Sequence, residues 1–341
     1  MAKKQSGNSV GAQQLIQDIK NKTPGRFYVI YGEEDYLCRH YYSGLKKLLL
    51  EDLTADFNYH PLNGETFSVE LLSDSIEALP MMADRSLVLV DEVDLFTVGD
   101  TDAIVSLLND IPDYCCLVLR YMEFKPDKRK KKLWDAIENN AVLAEFQYQS
   151  ESELRAWIVR HFRSAGKDIA PELCNYLLLQ CGRSMTRLHA EIEKICAYSG
   201  AATIVRSDID AVVEPTLDAA VFEITDALAS RNFDRALERL HVMFKLRAEP
   251  IAVVGAIGSQ MRRLYAAKTL QNVDELSRVC GLAPYPAGLT MTQARRFSTE
   301  FCKKAVLLCR DTDHQLKSSY DSEERLLELL LLQLAEEARH D

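Results

Sequence analysis

The 341-residue chain has no CxxC pair, no HExxH and no long uncharged apolar run. Each absence removes a class of function. Nine cysteines without metal-ligand spacing give neither a zinc module nor a disulfide scaffold. Cys115 and Cys116, adjacent within an apolar run, read as buried thiols. The missing apolar run speaks against a membrane span. The N-terminal MAKKQSGNSVG has no apolar segment behind its lysines, so it does not read as a signal peptide. A reducing cytoplasm suits such a chain. Positive charge is also short: the formal net charge is -10 and the pI about 5.3. Contact with nucleic acid then has to come from a local patch or from partners. There is no low-complexity tract and no short-period repeat. The seven histidines are scattered, and no catalytic constellation, metal site or cofactor site is expected.

A further absence is local. Residues 26–50 read RFYVIYGEEDYLCRHYYSGLKKLLL: an apolar strand, Phe27–Tyr31, then Gly32, then an amphipathic helix. That is the setting of a P-loop, which needs a second glycine, a lysine and a serine or threonine. Counted from Gly32, those places hold Leu37, Cys38 and Arg39. The turn carries Glu33, Glu34 and Asp35, three carboxylates that repel a phosphate chain. The chain reads as an ATPase core that cannot use ATP at this place.

What is present falls into two styles. The length suits two or three domains. Up to about residue 149, strands alternate with helices. Strands are expected at Phe27–Tyr31, Phe57–Leu62, in SLVLVDEVDLF, in CCLVL (115–119) and in VLAEF (142–146). Helices are expected near 11–22, 35–52, 68–79, 101–110 and 127–139. This pattern implies a mostly parallel sheet covered on both faces. From Ser150 onward strands stop. Helices near 153–165, 171–181, 184–198 and after Ser207 form a small unit. Long helices follow at 218–229, 232–247, 249–270, 291–310 and 322–338. The class is α/β followed by all-α, divided as 1–149, 150–213 and 214–341.

Four stretches carry candidate chemistry. SLVLVDEVD imitates a Walker B strand, with Asp91 in the magnesium position and Glu92 in the water-polarising position. Without a P-loop lysine, the favoured reading is a buried strand ending in solvated acids. After Gly182, where an arginine reaches the γ-phosphate in related ATPase modules, the third place holds Met185. Arg183 and Arg187 are out of register, and neither receives a catalytic role. KPDKRKKK gathers Lys125, Lys128, Arg129, Lys130, Lys131 and Lys132 at a helix start. This basic stripe suits phosphate or an acidic partner, against the alternative of a solvated face, and Trp134 reads as a core anchor. In LPMMADR (79–85) a helix ends at a proline with two methionines at the break. Flexible, polarizable methionines suit an adaptable binding surface. The alternative folds one or both into the core.

Together these stretches resemble the delta subunit family of the bacterial DNA polymerase III clamp loader. The likeness runs through FYVIYGEEDYL, EALPMMADRSLVLVDEVD, LHAEIEKI, FEITDALASRNFDRALERLHVMF, EPIAVVGAIGSQMRRLY and the final QARRF…LLELLLLQL, nearly the whole chain. It implies an AAA+-like (P-loop NTPase-type) parallel-sheet domain, a small helical lid and a C-terminal helical collar that oligomerises. It implies no ATP hydrolysis, in agreement with the missing lysine. It implies membership of a DNA-directed DNA polymerase (nucleotidyltransferase) holoenzyme in the replisome, in the nucleoid-bearing cytoplasm. The implied partners are the sliding clamp (beta subunit), the tau/gamma ATPase subunits, delta-prime, and primed DNA through the assembled loader. The implied action is to bind and open the clamp with a hydrophobic pair at a helix tip. By position the contact falls on Leu79, Pro80, Met81 and Met82, where two methionines replace the family's usual Leu-Phe type of pair.

Three other readings compete. An active AAA+ ATPase with an unusual P-loop would show saturable nucleotide binding. A delta-prime subunit would bring a Ser-Arg-Cys triplet and usually a zinc module, and the chain has neither. An inactive AAA+-like adaptor of another complex would differ only in its partners.

Overall fold

Five short apolar stretches bounded by turn residues become five parallel strands. The computed structural model describes residues 9–50, 54–318 and 321–341. α1 (Val10–Asn21) leads to β1 (Phe27–Tyr31), α2 (Asp35–Leu49), a short α3 (Ala55–Asn58), β2 (Tyr59–Asn63) and α4 (Val69–Glu77). Then come β3 (Ser86–Asp91), α5 (Thr101–Asn109), β4 (Cys115–Tyr121), α6 (Lys131–Asn140) and β5 (Val142–Glu145). The sheet order is β2-β3-β4-β1-β5. β4 therefore lies between β1 and β3, and their C-terminal ends meet in one row. There Tyr31 sits opposite Tyr121, and Asp91 opposite Arg120.

β1, β3 and β4 are buried along nearly their whole length, as strands covered on both faces must be. On one face Val29, Val88, Val90, Leu117 and Leu119 pack with Leu72, Ile76, Ile104 and Leu133 of the helices. The other face, with Tyr28, Ile30, Leu87 and Val118, lies under α1 and α2. There the Tyr28 hydroxyl donates to Asp18 Oδ2 at 2.8 Å. α1 sits very close to β5: a Cβ on Gly11 would lie 2.1 Å from Leu143 O. The Ser9 hydroxyl ties the two together, accepting from Ala12 N–H at 3.1 Å and from Glu145 N–H at 3.0 Å. This is an α/β domain built on a five-stranded parallel sheet.

The chain divides after Leu154 into two compact units, a boundary crossed by α7 (Glu151–Ser164). The second unit continues with β6 (Asp168–Ile169), α8 (Pro171–Cys181), α9 (Met185–Tyr198), β7 (Thr203–Ile204) and α10 (Arg206–Val212). The remaining helices are α11 (Leu217–Ala229), α12 (Phe233–Lys245), α13 (Pro250–Thr269), α14 (Val273–Cys280), α15 (Pro284–Ala294), α16 (Thr299–Ser318) and α17 (Glu323–His340). One core runs through α11 to α17, from Ala220 to Ala338, including Ile224, Ile257, Met261, Phe301 and Leu330. Inside it Gln293 Oε1 accepts from Thr225 Oγ1 at 3.1 Å and from Gln260 Nε2 at 3.0 Å.

Several expectations need correction. Phe57, expected to open a strand, belongs with Asn58 to α3, and the strand starts at Tyr59. The helix expected over 68–79 stops at Glu77, because Pro80 disfavours helical geometry at the residue before it. The helix expected over 35–52 ends at Leu49, with Leu50 already extended, and residues 1–8, 51 and 52 lie outside the described residues. Strands do not stop altogether at Ser150, since β6 and β7 pair in parallel. The helix expected over 291–310 is two helices, α15 and α16, separated near Ser298.

Candidate functional site

β1 delivers the chain into Gly32, whose φ is 136°. A Cβ there would lie 2.1 Å from Phe146 O, so the glycine serves close packing against the segment after β5. Phe146 N–H donates to Tyr31 O at 2.8 Å, and Glu34 N–H donates to Phe146 O at 3.1 Å. Glu34 is nearly buried, and its carboxylate caps α2 by accepting from Tyr36 N–H at 3.3 Å. The helix end that would attract a phosphate already holds an anion. Leu37 and Cys38 are core residues, and burial pushes the Cys38 thiol up to about 12. Arg39 turns to Asp35 at 2.7 Å.

The Walker-B-like acids are engaged as well. Arg120 Nε and a terminal guanidinium nitrogen donate to the two Asp91 oxygens at 2.7 and 2.6 Å. This bidentate geometry is the strong form of such a pair, and it raises the guanidinium above its ordinary value. Glu92 takes a left-handed φ of 55°, and its Oε1 accepts from Met122 N–H at 2.6 Å. Of the two acids expected to be solvated, Asp91 is part-buried and bound to Arg120 of β4, whereas Glu92 is exposed. The Tyr42 ring lies 5.4 Å from the Arg120 guanidinium, and its hydroxyl is 3.0 Å from that of Tyr59. Among the described residues, no group of three or more His, Cys, Asp or Glu side chains is placed to hold a metal. At this end of the sheet the Glu34 and Asp91 carboxylates are held by hydrogen bonds within the domain.

The tip after α4 is different. Leu79 is 77%, Met81 53% and Met82 87% exposed, with Pro80 half-buried between them. The core alternative for the two methionines is therefore not what the fold adopts. The loop is pinned at Met81 and again beyond it at Arg85. The fully buried Asn58 donates from Nδ2 to Met81 O at 2.9 Å and accepts Met81 N–H on Oδ1 at 2.6 Å. Beyond the tip, the Arg85 guanidinium donates to the carbonyls of Pro24, Gly25 and Cys115. Between these anchors Met82 has φ 54°, a region that a non-glycine residue keeps only when its surroundings impose it. Phe57, beside Asn58 in sequence, is 61% exposed. Neither Asn58 nor Phe57 carried a signal in one sequence: both sat in a stretch that reads as a strand.

The basic stretch is mostly loop, since α6 begins only at Lys131. Arg129 pairs with Asp127 at 2.9 Å, and that hydrogen bond holds the Asp127 carboxyl down at about 2. Lys132 pairs with Asp102 at 3.1 Å and Lys125 with Glu123 at 2.7 Å. Lys128 Nζ lies 5.4 Å from the half-buried Trp134 ring. Lys130 and Lys131 make no ion pair among the described residues. Met185 is buried, Arg183 is exposed, and Arg187 donates to Glu214 O at 2.6 Å.

Residues 28–147 match the family described as DNA polymerase III, delta subunit, and residues 218–334 match DNA polymerase III delta subunit, C-terminal domain. The two matches fall in separate parts of the chain and together span more than half of it. The chain belongs to the DNA polymerase III delta subunit family. It is 26% identical over 321 residues to DNA polymerase III subunit delta of Bacillus subtilis, covering 90% of this chain and 92% of that one. It is 20% identical over 260 residues to the probable delta subunit of Aquifex aeolicus, covering 73% of each. In fold it is similar to the solved structure of the Bacillus subtilis DNA clamp loader delta protein, with a TM-score of 0.60. That match has 24% identity and covers 95% of this chain and 99% of that one.

Proposed function

We propose that this chain is the delta subunit of a DNA polymerase III clamp loader, and that it binds and opens the sliding clamp with the loop 79–82. The observation that carries the reading is the exposure of Leu79, Met81 and Met82 on a backbone pinned at Met81 and at Arg85. A pinned apolar tip buries its side chains in a pocket with little loss of chain entropy. A plug favours the open ring only by binding it more tightly than the closed one. The fit of this tip to the open form is therefore what makes it an opener. The chain itself contributes no nucleotidyl transfer, and ATP on neighbouring subunits sets the timing.

The same reading takes 1–149 as the clamp-binding domain, 150–213 as a lid and 214–341 as the collar that joins the tau/gamma and delta-prime subunits. The continuous core of α11 to α17 supports the last of these. Primed DNA is met through the assembled loader, in the cytoplasm. Lys130 and Lys131 are the charges of the basic stretch available to phosphate, the others being engaged locally. No helix among the described residues is long and apolar enough to cross a membrane.

The test is the double variant Met81→Ala/Met82→Ala. Each methionine contributes on the order of 1.5–3 kcal/mol when buried, so clamp affinity should fall by roughly 3–5 kcal/mol, several hundredfold or more. The melting temperature should stay near that of the wild type, because both side chains already face water. Wild-type clamp affinity in the folded double variant would overturn the reading.

A further inference from the structure

A side-chain amide has two donor protons and an acceptor oxygen, and few are fully buried. Asn58 is 0% exposed and spends that capacity across 23 residues of chain. Its amide pairs with both backbone groups of Met81, as a neighbouring strand would. The other Nδ2 proton reaches Thr54 O at 3.1 Å, which fixes the amide plane. The bonds are made by a buried group beneath an exposed tip, where little water competes with them. Arg85 holds the exit of the loop, so the left-handed Met82 lies between two anchors. Asn58 is the one of the two that grips the tip residue itself.

We infer that Asn58 is the positioning residue of the plug: it presets the backbone of Met81, and through it the direction of Met82, before any partner arrives. The inference rests on the clamp-binding reading above. The chemistry demands an amide. Leucine offers neither donor nor acceptor, and an aspartate carboxylate offers no donor to Met81 O. Without the amide the tip is free to sample other conformers, and binding then has to order it.

The experiment uses the full chain as wild type, Asn58→Ala, Met81→Ala/Met82→Ala and the triple variant. It reads amide hydrogen exchange at Met81, thermal melting and affinity for the clamp. In the wild type the Met81 amide should exchange slowly despite its place on an exposed tip. Fast exchange there would overturn the inference without any variant. Asn58→Ala should release that amide and weaken clamp binding roughly tenfold. In the triple variant the Asn58 change should cost nothing more, since the side chains it positions are gone. Should the alanine variant not fold, Asn58→Asp keeps the volume and the acceptor while losing the donor to Met81 O, and its affinity should fall as well. Unchanged affinity in a folded Asn58 variant, while the methionine variant loses binding, overturns the positioning role and leaves the clamp reading intact. Additive losses in the triple variant overturn it too. Unchanged affinity in the methionine variant overturns the clamp reading itself.

Discussion

Arg120 shows how an ATPase residue pattern becomes architecture. It reaches Asp91 because β4 lies beside β3 with Asp91 and Arg120 in register. The pair is about one-quarter exposed on each side. Removing the guanidinium leaves a part-buried carboxylate without its bidentate donor, an interaction worth about 1.5–3 kcal/mol for charged groups. Arg120→Ala should therefore lower the melting temperature of the first unit by roughly 3–12 °C. It should still give no saturable heat with Mg-ATP in calorimetry, because the Glu34 carboxylate and the missing lysine remain. Nucleotide binding in this variant would show that Arg120 blocks a usable site. The absent lysine was plain from spacing alone. The Arg120–Asp91 pair was not, since 29 residues separate the partners and only sheet order joins them.

At the scale of single elements, a strong apolar pattern is legible in sequence and a side-chain bond between distant residues is not. β1 falls where its apolar run predicts it. The break between α15 and α16 has no glycine or proline to announce it. It rests on Ser298, whose hydroxyl accepts from Phe301 N–H at 3.0 Å, and on the stacking of Phe297 against Phe301 at 4.4 Å. No helix is expected over α14 although Asn272 caps it, and α15 starts at Pro284, ahead of the expected 291. The buried Thr225–Gln293–Gln260 network binds α11, α15 and α13 in a fixed register, and no periodicity reveals it. Gln293→Leu fills similar space but orphans the Gln260 amide and weakens the tie to Thr225. Each orphaned group costs about 1–3 kcal/mol. Adding Thr225→Val and Gln260→Leu should restore much of the loss, since replacing all partners by apolar groups is nearly neutral. Melting curves of the single and triple variants check this, and a triple variant no more stable than the single would show that the network does not set the cost.

For the whole molecule, alternation of strands and helices gave the parallel sheet, and the end of that alternation gave the helical second part. Strand order did not follow from alternation, because many orders satisfy the same pattern. The second unit carries exposed apolar side chains that its own core leaves uncovered: Leu307 on α16, and Leu329 and Leu332 on α17. Leu329 and Leu332 are three residues apart and so neighbour each other on one helix face. In the proposed reading this face meets another subunit of the loader. Leu329→Glu/Leu332→Glu should then fold normally, because both side chains already contact water. It should bind the clamp with wild-type affinity, because loop 79–82 is untouched. It should fail to enter the loader, because two carboxylates in an apolar interface lose their hydration without a partner. Co-purification with the ATPase and delta-prime subunits, run beside a clamp-binding assay on the same preparation, reads both properties. Stoichiometric assembly of the double-glutamate chain would place the loader contact elsewhere on the collar.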